Sequence, residues 1–351
     1  VNYQKTPMTS KERIWATVKG QPRDRIAVTP LFMQWAAAFE GYSYRDYYLN
    51  GRVLADCQVA VARALNTDSV SNISAPWAEA SAYGMEFTYP EDSVGIPKEY
   101  LLREPGDIAK LRVLSPREHG VLSELVGAVA LEAEQVGQTQ SVIGWVEGPL
   151  AEYAELRGLQ EAMTDLMDYP EVFHEAAEIL VESAIVFARD QVEAGADIVG
   201  VGDAAASLIG PALYREHVLG WERKLIEGIQ EAGALVKLHV CGNISAIIGD
   251  MAKTGAEMID VDWMVSLKES RKQVGPDTTL CGNFDPTAVL LQGDPEVVAE
   301  AARNCVATAG DKFILQPGCE VPPGTPMENL RAFCPVDDCQ IMSCLRTGYD
   351  K

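Results

Sequence analysis

The chain has 351 residues, with 51 acidic against 29 basic side chains, a formal charge of −22. Its surface therefore repels nucleic acid, anionic membranes and polycarboxylate ligands except where a local pocket gathers cations. At 47% hydrophobic it can bury a large core, enough for one large α/β domain or two ordinary ones.

VNYQKTPMTSKERIWATVKG at the N-terminus has no apolar signal region, and no run is long enough to span a bilayer, which points to a cytoplasmic chain. Its eight cysteines are then expected to be mostly reduced thiols, some available as ligands. Thr9, three residues before Glu12, is a capping-box pattern, and Gly20 ends the short helix it opens. RIAVTPLF (25–32) reads as the first strand, 44–65 as helix and DSVSNISA as a second strand over 69–75. MEFTYPEDSVGIPKEYLL alternates around turn residues, the pattern of a hairpin outside the main sheet. A helix over 119–136 leads to SVIGWVEG (141–148), and helical stretches run on to Ala194. DIVGVGD ends at Asp203 and is followed by a helix over 211–232. LVKLHVCGN (235–243) precedes a helix near 245–253. MIDVDW with a helix to 274, TLCGNF with helices to 309, and FILQPGCE complete the series. Eight apolar strands, most followed by a helix, with no linker between composition regimes, argue for a (β/α)₈ TIM barrel. The whole chain, 1–351, then reads as one domain with an N-terminal helical extension and a hairpin insertion.

His239 and Cys241 end an apolar strand two residues apart, so both side chains point the same way, and Gly242 begins the exit turn. In such a barrel the active site lies at the C-terminal strand ends. Cys319 stands at the matching end of the eighth strand, beside Gly318 and two prolines. Imidazole and two thiolates would make three zinc ligands with an open fourth position, the arrangement of a catalytic metal. The bland alternative is a histidine satisfied by a backbone carbonyl and two small buried thiols. The joint occurrence on two distant strands favours the metal.

LHVCGN, GNFDP, QPGCEVPPGTPMENLRAF and EGPLAEYAELRG resemble the uroporphyrinogen decarboxylase superfamily, and within it the zinc-dependent cobamide methyltransferase branch that includes methylcobamide:coenzyme M methyltransferases. The resemblance runs from about residue 11 to 333. It implies Zn²⁺ held by His239, Cys241 and Cys319, binding a substrate thiol as thiolate that attacks the methyl group of a methyl-cobalt corrinoid (cobalamin) on a separate protein. The reverse sense, from a methoxy or methylthio compound to a cobalt(I) corrinoid, is the alternative, and a non-catalytic zinc-binding barrel is a further one. The decarboxylase itself resembles MRQAGRYLPEY after its first strand, with arginines that grip a polycarboxylate tetrapyrrole. Here Gln34, Ala36 and Ala37 stand in that stretch and Arg45 is the nearest cation, which argues against decarboxylation.

Other strand-end groups are candidates for the same site. Glu147 and Asp203 are candidate catalytic residues, as fourth ligand or general base, with Asp203 favoured; either would equally cap the helix that follows. Asn283 and Trp145 are candidates for holding the cofactor. Asp260 and Asp262 lie on the sixth strand, and Trp35, Trp145 and Trp263 are placed to line a pocket for a flat apolar group, with core packing the default. GVGDAA (200–205) matches the start of a dinucleotide fingerprint but is set aside, because no helix is expected to open there and Pro211 follows. Cys334, Cys339 and Cys344 have no recognised zinc spacing and read as a tail helix with partly buried thiols. Cys57, Cys281 and Cys305 read as core.

Overall fold

Alternation along eight short strands sorts side chains into those facing the barrel axis and those facing the surrounding helices. The computed structural model describes residues 7–334. Its strands are β1 (Ala27–Val28), β2 (Ser69–Ser71), β3 (Ser141–Glu147), β4 (Ile198–Gly202), β5 (Leu235–His239), β6 (Met258–Asp260), β7 (Thr279–Phe284) and β8 (Phe313–Pro317). All neighbours are parallel, in the order β1-β8-β7-β6-β5-β4-β3-β2. With helices around it, this is a (β/α)₈ TIM barrel. The hairpin insertion forms its own antiparallel pair, Phe87–Thr88 with Ile96–Pro97. Among the described residues no helix is long and apolar enough to cross a membrane.

The floor of the barrel is apolar. Ala27, Ile143, Ile198, Met258, Cys281 and Ile314 form one buried cluster there, covered by Ile14 and Val18 of the N-terminal helix Ser10–Val18. Thr9 and Glu12 make the expected reciprocal capping box. Cys57 and Cys305 lie in the main core. Higher up, register aligns Trp145 with Gly200 and Gly200 with Lys237; at the mouth it aligns Glu147 with Gly202 and Gly202 with His239.

The barrel closes between β1 and β2 through one carboxylate. The Asp68 backbone N–H donates to the Val28 carbonyl at 2.8 Å, and the Val28 N–H donates to Asp68 Oδ2 at 2.7 Å. Arg25 donates to both Asp68 oxygens, at 2.7 and 2.9 Å, and Arg13 donates to Oδ1. Asp68 is fully buried. It thus takes the place of a strand partner and ties the N-terminal helix to the seam.

That substitution explains the shortened first strand. Of the expected 25–32 only Ala27–Val28 keeps ladder pairing, because Asp68 takes the Val28 N–H and Pro30 has none to give. The second strand stops at Ser71, whose hydroxyl accepts from the Ile73 N–H at 3.2 Å and turns the chain. The helix expected over 44–65 is two, Tyr44–Leu49 and Gly51–Leu65, divided at Asn50, whose side chain caps the second. A helix not anticipated, Gln34–Glu40, precedes them and ends at Gly41 with φ +80°. The helix expected near 245–253 reduces to Ile248–Met251, and a 3₁₀ turn, Ala204–Leu208, opens directly after Asp203. The segment bearing Cys339 and Cys344 lies outside the described residues.

Truncating Asp68 leaves the buried Arg25 guanidinium without its carboxylate and takes one of two from Arg13, which keeps Asp24. Asp68→Ala is expected to cost about 3–5 kcal/mol of stability, read as a lowered urea midpoint. A loss below about 1 kcal/mol, the value of a surface pair, would remove this role.

Candidate metal centre and its cavity

β5 delivers His239 to the rim, and Cys241 follows two residues later on the same face, the chain then turning away at Gly242 with φ +91°. β8 ends two residues before Cys319. His239 Nε2 lies 2.9 Å from Cys241 Sγ and 4.0 Å from Cys319 Sγ, and the two sulfurs are 3.7 Å apart. The donor set is a nitrogen and two sulfurs, all within 4.8 Å of one another. A tetrahedral ion with bonds of about 2.3 Å to sulfur and about 2.1 Å to nitrogen would set its ligands about 3.8 Å (S···S) and about 3.6 Å (S···N) apart. The S···S separation matches, and the two S···N separations straddle their target. The residues fit a zinc-type ion.

The hydrogen bonding orients the imidazole for ligation too. His239 Nδ1 lies 2.8 Å from Asp260 Oδ2, which leaves Nε2 for the cysteines. Asp260 is in turn 3.3 Å from Lys237 Nζ, and Lys237 donates to Gln316 Oε1 at 3.0 Å, all three groups buried. A hydrogen bond from Cys241 holds the Cys319 thiol down to about 4; burial opposes this, and His239 assists. The same hydrogen bond, together with burial, pushes Cys241 up. One thiolate is therefore favoured in the cluster before any metal arrives.

Beside the cluster lies a cavity of about 290 Å³. Leu31, Met33, Ile73, Leu125, Trp145 and Phe187 form its apolar walls, and Glu79, Glu147 and Glu320 are its acidic groups. The Trp145 indole crosses β4, where a Cβ on Gly200 would come within 2.2 Å of the ring and one on Gly202 within 2.8 Å, so only glycine admits it. Its Nε1 donates to Glu147 Oε1 at 3.1 Å, and its ring centroid is 5.9 Å from that of His239. Burial pushes Glu79 up to about 8, although the Glu147 N–H donates to it at 2.8 Å. Burial, then Glu79, raises Glu147 well above the usual carboxylate range. Burial pushes Glu320 up to about 7.

The structure thus brings together His239, Cys241, Cys319, Glu147 and Trp145. Asp203 it does not. That carboxylate accepts from the Leu150 and Ala151 N–H groups at 3.3 and 2.7 Å, capping the helix Pro149–Arg157 outside the cavity. Asn283 donates to the Val265 and Asp262 carbonyls at 2.7 and 3.3 Å, tying down the loop after β6 instead of facing the cavity. Asp262 holds the Gly242 and Met264 N–H groups, each at 2.9 Å. Trp35 is buried with its N–H on the Thr325 carbonyl, and Trp263 is 44% exposed. Sequence reasoning missed Glu79, Glu320 and the Lys237–Gln316 support. Only Lys237, two residues before His239 on an apolar strand, carried a readable signal.

The chain matches the uroporphyrinogen decarboxylase (URO-D) family over residues 9–336. The methylcobamide:CoM methyltransferase MtaA of Methanosarcina barkeri is 25% identical, with 94% of this chain and 98% of that one covered. A uroporphyrinogen decarboxylase of Nocardia farcinica is 36% identical over 61% of this chain and 60% of its own. Among solved structures, a methyltransferase from Methanosarcina mazei superposes with a TM-score of 0.85 at 24% identity, over 93% of this chain and 97% of that one, and so shares the fold.

Glu79 supplies a pH signature. In the folded chain it keeps its proton up to about pH 8, against 4.5 for the ordinary carboxyl. The stability it contributes is therefore fully present below pH 4.5 and is lost as pH rises toward 8. Glu79→Gln is expected to flatten the fall in unfolding free energy between pH 5 and 8 by up to about 1.4 kcal/mol per pH unit. An unchanged slope would show that the carboxyl is ionised in place.

Proposed function

Since the chain belongs to the uroporphyrinogen decarboxylase family, we propose that it is the methyl-transferring kind of member. In this reading it moves a methyl group between a corrinoid and the sulfur or oxygen of a small molecule, with zinc at His239, Cys241 and Cys319. The observation that carries the reading is the His-Cys-Cys triangle facing an apolar cavity at the barrel mouth. Relatives named as methylcobamide:CoM methyltransferases along nearly their whole length support it. Decarboxylation of a polycarboxylate tetrapyrrole finds less support, since carboxyl groups and hydrocarbon line the cavity, whose volume is at the lower limit of the roughly 300–1,000 Å³ usual for small-molecule sites.

Zinc, when bound, lowers the pKa of a thiol that joins its open position, so that a nucleophile exists at neutral pH. In the net transfer to a thiol, the S–H proton is released, an S–C bond forms and the methyl-cobalt bond breaks with its electron pair left on cobalt. The chain's own groups hold and orient. His239 presents Nε2 because Asp260 occupies Nδ1, and Asp260 stays ionised in the barrel because Lys237 is beside it. Trp145 and the apolar walls exclude water from the side of the cluster where substrate enters. Glu147, fixed by the Trp145 N–H, is a proton carrier on that wall.

Glu147 also favours a second reading, the donor-side direction. A carboxyl whose proton burial holds well above the usual carboxylate range can give it to the sulfur or oxygen that leaves when a methyl ether or thioether is cleaved. A corrinoid protein docking over the mouth is the partner in either direction, and Asp203 and Asn283 act in this account by holding the loops that frame the site.

The metal assignment is tested by composition. Purified wild type is expected to hold about one zinc per chain and Cys241→Ala or Cys319→Ala less than about a tenth of that, with the circular dichroism of the barrel unchanged. Asp260→Asn should weaken zinc binding about 10–100-fold. Full zinc content in both cysteine variants would sink the site.

A further inference from the structure

We infer that the molecule presented to the cluster is uncharged and mainly apolar, and that a sulfonate-bearing thiol such as coenzyme M is a poor substrate of this chain. The inference rests on the methyl-transfer reading above and names its substrate class.

The polar inventory of the cavity carries it. Apart from the side chains of His239, Cys241 and Cys319, the groups able to interact strongly are the carboxyls of Glu79, Glu147 and Glu320, with Asn72 and Ser74. Among the described residues, no Lys or Arg lines it. Both Asn72 amide protons have partners, Gln191 Oε1 at 2.8 Å and the Leu125 carbonyl at 3.3 Å, while its Oδ1 is buried without one. Lys237, beneath His239, is committed to Asp260 and Gln316. The helix start beyond Glu147, whose N–H groups would be a natural anion site, already holds the Asp203 carboxylate. A buried sulfonate would thus lose its water and meet hydrocarbon and carboxyl groups, with no cation to neutralise it. An uncharged body loses little on entering the same walls, and Trp145 gives it a flat face to rest on. The cluster then meets the one sulfur or oxygen it carries.

Calorimetric titration of the zinc-loaded full chain at pH 7 with phenylmethanethiol and with 2-mercaptoethanesulfonate reads the preference without turnover. At least tenfold tighter binding of the uncharged thiol is expected. Met33→Lys, which puts a cation on the half-buried wall, should narrow that gap at least threefold. Turnover separates sulfur from oxygen as the carrier: demethylation by cob(I)alamin of methyl phenyl thioether or methyl phenyl ether, but not of 2-(methylthio)ethanesulfonate, supports the inference from the donor side. Equal or tighter binding of the sulfonate, together with its methylation by methylcobalamin, would overturn the inference and leave the methyl-transfer reading standing. No binding and no methyl transfer with any of these compounds would overturn both.

Discussion

A carboxylate buried in an apolar barrel has to be neutralised, and here Lys237 does this for Asp260, both side chains about 1% exposed. The rim depends on that pair. With Lys237 beside it Asp260 remains ionised despite burial, and as an anion it holds His239 Nδ1, leaving Nε2 among the two sulfurs. Gln316 extends the support to β8, the strand that leads into Cys319, so one hydrogen-bonded layer links both halves of the triangle. Such a pair adds little net stability, since desolvation offsets most of its attraction, yet removing one partner leaves a buried charge. Its effect is geometric: three ligands from two strands are held before a metal binds, which is what a site acting on an exchangeable ligand requires.

The layers above and below have different chemistry for the same reason of alternation. Below, apolar side chains and the N-terminal helix seal the barrel. Above, two glycines on β4 let Trp145 lie across the strand, and the indole positions Glu147. Behind that wall burial raises the proton affinity of Glu79, Glu147 and Glu152, and Glu79 raises that of Glu147 and, with Glu147, that of Glu152 further. A wall of protonated carboxyls and hydrocarbon is electrically quiet, in contrast to the −22 of the chain as a whole.

Much of this was legible in the sequence, and the failures have physical causes. The eight β-then-α units and the shared face of His239 and Cys241 follow from periodicity alone. Cys319 was legible because Gly318 and the prolines mark a strand exit. The first strand was read too long because a side chain 40 residues on, Asp68, replaces its backbone partner. Asp203 and Glu147 both end strands, and local sequence does not distinguish them. What separates them is that Asp203 turns back onto the Leu150 and Ala151 N–H groups while Glu147 turns inward to Trp145. Glu79 sits on a five-residue helix with no pattern to mark it, and only the fold brings it to the Glu147 N–H.

In the proposed reaction a metal at His239, Cys241 and Cys319 meets the reacting sulfur or oxygen of the small substrate, and a thiol makes that contact visible. X-ray absorption at the zinc edge, on the zinc-loaded chain with and without an uncharged thiol that it methylates, tests this directly. The expected result is two sulfur neighbours without the thiol and three with it, the third replacing a nitrogen or oxygen. A count that stays at two while methyl transfer proceeds would contradict the account.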